Sequence, residues 1–224
     1  MLKIAIDASS IRAVGGLAHL VNLLAAAEPE AHAISSVSVW ASQATIEALP
    51  RRPWLHLKRL PELAFPLAAR FLWQRIALQR EIAGEYDVLF VPGGTYIGQF
   101  RPLVTMSQNL LPFADAGRAR YGWSWARGRL QSLQRRQAFT FRAAQGIIFL
   151  TPTAQELVLR ATGGLQGRTA VVPHGTTLGD QPLRPPGLPM SAYSFARPFR
   201  WLYLSVVEPY KHQTVVAEAV AQLR

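Results

Sequence analysis

The chain has 224 residues, half of them hydrophobic and 17% charged, which excludes a disordered chain and suits one large domain or two small ones. It contains no cysteine, so disulfides, a thiolate nucleophile and a cysteine-ligated metal are excluded. Lys and Arg outnumber the acids 24 to 13, and the formal charge of +11 favours an anionic partner: a phosphorylated ligand, a lipid headgroup or nucleic acid.

The N-terminus, Met1 to Asp7, has no basic lead-in or long apolar run and reads as a first strand rather than a signal peptide. No apolar run reaches the length of a membrane span, and a cytoplasmic location is expected, with peripheral attachment at the inner face of the membrane. Ala8 to Gly16 reads as a loop ending in Gly15-Gly16, and Leu17 to Ala27 as a helix with apolar residues at Leu17, Leu20, Val21 and Leu24. Strand, glycine turn and helix open a nucleotide-binding βα unit, although neither Gly-x-Gly-x-x-Gly nor Gly-x-x-x-x-Gly-Lys-Ser/Thr is present. Gly15-Gly16 has two readings. Either it lets a phosphate or sugar approach a helix N-terminus, or it is a tight turn requiring positive φ. Asp7 is expected to hydrogen-bond the backbone of that loop.

Ala33 to Trp40 follows as a strand, Ser42 to Leu49 as a helix capped by Ser42, and Trp54 to Leu60 as a third strand. Leu67 to Ile82 is helical. The almost wholly apolar Asp87 to Val91 reads as a strand covered on both faces, running into Pro92-Gly93-Gly94-Thr95-Tyr96. Leu103 to Met106 is the next strand, followed by Ser107-Gln108-Asn109. Gly146 to Thr151 and Thr169 to Val172 are two more, separated by a helix from Thr153 to Thr162 with Pro152 in its first turn and Gly163-Gly164 past its end. Alternating strands and helices predict an α/β, Rossmann-like, doubly wound parallel sheet over residues 1–175. Residues 176–198, rich in Pro and Gly, read as a linker, and 199–224 as the first βα unit of a second Rossmann-like domain, with its strand at Trp201 to Val207.

Between Arg118 and Arg142 lie seven arginines and no acid, interleaved with Tyr121, Trp123, Trp125, Phe139 and Phe141. Three readings are open: a core helix with a solvated arginine face, a helix lying on an anionic membrane, or a nucleic-acid surface. No nucleic-acid motif is present, and no nucleic-acid partner is expected.

Ligands of open parallel sheets bind at the carboxyl ends of the strands. The unusual residues recur there: Gly15 and Gly16, Thr95 and Tyr96, Ser107, Gln108 and Asn109, Thr151, His174 and Gly175, and Glu208 and Lys211. His174, between Pro173 and Gly175, is a candidate ligand contact, whereas His19, His32 and His56 read as structural and His212 as a helix N-terminal residue. Asp-x-Asp, His-Glu-x-x-His and Gly-x-Ser-x-Gly are all absent, so neither a dedicated metal site nor a hydrolase elbow is indicated.

Taken in order, Ile6-Asp7-Ala8-Ser9 with Gly15-Gly16, Asp87-Val88-Leu89-Phe90, Val104-Thr105-Met106-Ser107, Ile148-Phe149-Leu150-Thr151, Val171-Val172-Pro173-His174-Gly175 and Glu208-Pro209-Tyr210-Lys211 resemble the retaining group 1 (family 4) glycosyltransferases of the GT-B fold. The resemblance covers the acceptor-side domain and the first βα unit of the donor-side domain. It implies a nucleotide-sugar donor, transfer with retention to an acceptor glycan or lipid-linked sugar, and no cofactor or required metal. It also implies that Gly15-Gly16 lies near donor and acceptor, and that Lys211 meets the donor diphosphate. No catalytic residue is assigned. The sequence departs from the family in having Ser107-Gln108-Asn109 where His-Asp is common, and Val206 where an arginine precedes the lysine. The Glu-x7-Glu stretch that grips the donor would lie beyond Arg224. The chain is therefore expected to be an N-terminal part, inactive alone, that could dimerise through its unfinished second domain. The alternative class is a non-catalytic basic α/β module binding anionic membrane or nucleic acid.

Overall fold

The structure, a computed structural model, describes residues 1–11, 14–60, 67–175 and 187–222. Among the described residues seven strands form one all-parallel sheet: β1 (Leu2–Asp7), β2 (Ile34–Ala41), β3 (Leu55–Arg59), β4 (Val88–Val91), β5 (Leu103–Ser107), β6 (Gly146–Phe149) and β7 (Arg168–Val171). Their order is β3-β2-β1-β4-β5-β6-β7. The expected doubly wound α/β, Rossmann-like sheet is what forms.

Successive residues of a strand point to opposite faces, and in this sheet both faces are apolar. Ala5 and its register partner Leu89 contribute to one core, with Trp40, Leu78, Ile82, Leu103, Phe141 and Phe149. Ile6 contributes to the other, with Leu20, Leu24, Val39, Ile46 and Leu55. Helices α1 (Val14–Ala26) and α2 (Gln43–Ala48) cover the second face. The first is covered by α6 (Trp125–Ala143), α7 (Pro152–Thr162) and a composite helix. That composite runs through α3 (Leu67–Trp73), a π-helical turn at Gln74–Leu78 and α4 (Gln79–Ile82).

Local chemistry sets most helix ends. Ser42 caps α2 by accepting from the Thr45 amide, and Thr151 caps α7 by accepting from the Ala154 amide at 3.1 Å. Gly163 ends α7 in the left-handed conformation, at φ 73°.

Three expectations are corrected. Gly15 and Gly16 lie inside the first turn of α1 rather than in a preceding loop, and neither has positive φ, so the tight-turn reading falls. The Arg118 to Arg142 stretch is not one helix. It comprises α5 (Asp115–Ala119), a turn through Gly122 at φ 53°, and α6 capped by Ser124. Trp201 to Val207 forms no strand, and most of its side chains stand in solvent. A strand takes its hydrogen bonds from a neighbour, and no strand of the described sheet lies beside this segment. The helix after it, α8 (Gln213–Gln222), bonds internally and forms. Of the expected linker, residues 176–186 lie outside the described residues; 187–198 are irregular apart from a 3-10 turn at Met190–Ala192.

Candidate functional site

The order β2-β1-β4 makes the connections on either side of β1 diverge, and such a switch point opens a crevice at the carboxyl ends of the flanking strands. At the carboxyl end of β1 lies a buried polar network. Asp7, 1% exposed at the end of β1, accepts from the Ser9 amide at 2.9 Å and from the Gln74 side-chain amide at 2.6 Å. Gln74, fully buried in the π-helical turn, also donates to the Thr95 carbonyl at 3.3 Å. Burial pushes the Asp7 carboxyl above its usual value, opposed by the bonds from Ser9 and Gln74 and by the charge of Arg70. The expected bond from Asp7 to its own loop is present. Packing against the loop after β4 is tight: a methyl group on Gly93 would fall 1.7 Å from the Ser10 hydroxyl oxygen.

Along the same edge, residues from distant parts of the chain lie close together in an arc. His19 on α1 lies against His174, with ring centroids 4.5 Å apart and planes tilted by 56°. Burial, then the nearby His174 charge, holds His19 below its usual pKa, and its buried Nε2 has no hydrogen-bond partner among the described residues. One helical turn back, a methyl group on Gly16 would sit 3.5 Å from Gln108 Oε1, whereas Gly15 faces open space. Gln108 and Asn109 in turn line an open cavity of about 470 Å³ together with Arg120, Tyr210, Lys211 and His212. No carboxylate lines it among the described residues, and its two cations suit an anion. Beside it, the Tyr121 hydroxyl donates to Glu208 at 3.1 Å, linking the loop before α6 to the segment carrying Lys211. That carboxylate raises the phenol pKa, after desolvation as the larger cause.

The predicted site residues therefore divide. Gly16, Gln108, Asn109, His174 and Lys211 fall along the arc; Gly15 and Gly175 border it, and Glu208 braces it through Tyr121. Thr95 and Tyr96 are instead core residues, 3% and 1% exposed, as is Ser107 at 4%. Burial pushes the Tyr96 phenol up to about 12, and its amide donates to Thr140 at 2.8 Å. Thr151 is spent on capping α7. Three further members of the arrangement stand outside the sequence expectation: His19, which the sequence reads as structural, and Arg120 and Tyr121, which it reads as part of one basic helix. Gly122, two residues beyond Arg120, was the available signal that the helix breaks there.

The fold is that of a Rossmann-like α/β domain, and near the carboxyl edge of its sheet an open cavity carries two cationic side chains. No family model matches the chain, and no curated protein matches its sequence. Among solved structures it matches sucrose-phosphate synthase from Thermosynechococcus elongatus at a TM-score of 0.50 and 15% identity, over 79% of this chain and 49% of that one. The likeness is one of fold, and the chain spans about half the length of that structure.

Proposed function

We propose that the chain is the acceptor-side part of a sugar transferase that moves a glycosyl group from a nucleotide-sugar to an acceptor hydroxyl, with retention and without a required metal. The observation that carries this reading is the cavity lined by both Lys211 and Arg120 and by Gln108 and Asn109. Its support is the fold shared with sucrose-phosphate synthase.

In this reading the leaving diphosphate meets Lys211, whose compact ammonium suits a point contact, and Arg120, whose planar fork suits two phosphate oxygens. Charge that develops on the leaving group is thereby stabilised by groups already in position. Gln108 and Asn109 are neutral amides, so they can orient a hydroxyl but cannot take its proton, which in this reading passes to the departing diphosphate oxygen as the bond from the sugar to that oxygen breaks and the bond to the acceptor oxygen forms. Their contribution is alignment. Because the chain spans about half of the solved structure it resembles, transfer is proposed for this chain together with a second cleft wall, at the cytoplasmic side where nucleotide-sugars are expected.

Calorimetric titration with a panel of nucleoside diphosphates and their sugar conjugates tests the binding step. Saturable binding, weakened about tenfold or more in Lys211→Ala and in Arg120→Ala, is the expected result, since charge-assisted bonds are each worth about 1.5–3 kcal/mol. Fusion to a donor domain of the same fold should then give transfer that Lys211→Ala abolishes and a chelator leaves unchanged. Absence of binding to every member of the panel would remove the reading.

A further inference from the structure

The arginines around α6 serve two purposes. Arg118 bonds Asp115 and Gln134, Arg136 donates to Ser132 and lies over the Phe71 ring, and Arg142 donates to the Thr162 carbonyl at 2.9 and 3.2 Å. These contacts brace the helix and its surroundings. A different set points away from the domain. Trp125, Arg129, Ser132, Arg135 and Phe139 are all exposed and recur at spacings of three and four, so they form one stripe along the outer face. At about 1.5 Å per residue the stripe is roughly 21 Å long.

Its N-terminal end carries two unburied indoles. Trp123 is fully exposed and Trp125 is 78% exposed, while Trp40 of the same chain is buried. Each indole has a guanidinium over its ring, Arg127 at 5.8 Å from Trp123 and Arg129 at 5.0 Å from Trp125. Phe139, 58% exposed, stands towards the other end. Arg129 and Arg135 have no ion-pair partner among the described residues. Between Asp115 and Glu156 the sequence contains no acid that would repel an anionic surface.

We propose that this outer face of α6, with Trp123 and Trp125 at its leading end, docks the domain on an anionic lipid bilayer. An indole is apolar in body and polar at its N–H, and settles at headgroup depth. The flanking guanidiniums meet lipid phosphates, and a cationic surface is drawn to anionic leaflets over a Debye length. Nucleic acid would share the phosphate chemistry, but single strands are read by aromatic rings spaced along a charged groove. Here the rings sit at the ends of a convex helix face, which favours the bilayer. The proposal does not depend on the transfer reading.

The full chain is mixed with vesicles of phosphatidylcholine alone or with phosphatidylglycerol, at low and physiological salt, and with vesicles containing brominated lipid. Expected are binding only where phosphatidylglycerol is present, loss of binding with salt, and quenching of tryptophan fluorescence by the brominated lipid. Trp123→Phe with Trp125→Phe should still bind but lose that quenching, which separates insertion from folding. Arg129→Gln with Arg135→Gln should weaken binding about tenfold or more, each charge near such a surface being worth about 1 kcal/mol. All four positions are exposed, so the far-ultraviolet circular dichroism should be unchanged. Binding unaffected by the arginine pair, quenching that persists without the two indoles, or capture of a single-stranded oligonucleotide without any vesicle binding would each overturn the proposal.

Discussion

The Asp7 carboxylate accepts a 2.6 Å hydrogen bond from the Gln74 amide, across 67 positions of sequence. The bond ties the end of β1 to the π-helical turn. Burial raises the Asp7 pKa, so its contribution to stability is fully present below the ordinary value of 3.8 and is lost as pH rises through the raised folded value. Asp7→Asn, which keeps an acceptor for the Ser9 amide, is expected to flatten that decline. Asp7→Ala leaves the Ser9 and Gln74 donors unpaired and should destabilise by about 1–3 kcal/mol. Denaturant midpoints measured from acid to neutral pH distinguish the three proteins.

His19 should contribute with the opposite sign. A depressed histidine pKa gives stability that is present above 6.5 and lost as pH falls through the folded value, because the unfolded chain takes up the proton first. The proton-resonance titration of the His19 ring should therefore have its midpoint below 6.5. In His174→Gln that midpoint should move up only part of the way, since burial is the larger cause and the His174 charge the smaller. A midpoint unchanged by the substitution would mean that the two rings do not interact in solution.

Two glycines at this edge predict opposite outcomes. Gly94 has φ 71°, and a methyl group there would stand 3.0 Å from the Gln137 amide nitrogen and 3.1 Å from the Met106 carbonyl oxygen. Gly94→Ala should destabilise by about 1–2 kcal/mol from the left-handed conformation alone. Gly15 is helical with open space around it, so Gly15→Ala should stabilise by about 0.5–1 kcal/mol. Thermal unfolding of the two variants checks both signs, and ligand affinity lost in the stabilised Gly15→Ala protein would report close approach at that position.

Leu202 and Leu204 are 87% and 90% exposed. Leu202→Ser with Leu204→Ser should leave the denaturant midpoint within about 0.5 kcal/mol of the parent in free energy, as exposed positions do. The same change should lower binding of a hydrophobic dye and, in sedimentation, any self-association through this segment. A large loss of stability would show that the segment packs on the first domain instead.

The parallel sheet was legible because strands such as β4 and β6 are short apolar runs and several helix ends carry their own chemistry. Thr151-Pro152 begins α7 and Gly163 ends it, through bonds that reach no further than a few residues. The carboxyl-edge rule follows from strand direction alone, so the sequence could place Gly16, Gln108, Asn109, His174 and Lys211 beyond strand ends without any tertiary contact being known.

What the residues could not announce is which of them meet across long separations. Asp7 and Gln74, His19 and His174, and Tyr121 and Glu208 are paired only by the path of the backbone, and nothing local marks a side chain as one half of such a pair. Thr95 and Tyr96 were misplaced for the same reason, since a loop after a strand can dive into the core as readily as line a cleft. Trp201 to Val207 shows the limit most directly. Its composition is that of a strand, but a strand exists only through hydrogen bonds to another strand, whereas the neighbouring Gln213–Gln222 satisfies its backbone within itself and is a helix. Local sequence determined the helices, caps and strand candidates of this protein; the tertiary structure alone decided which candidates found a partner and which side chains came to share a site.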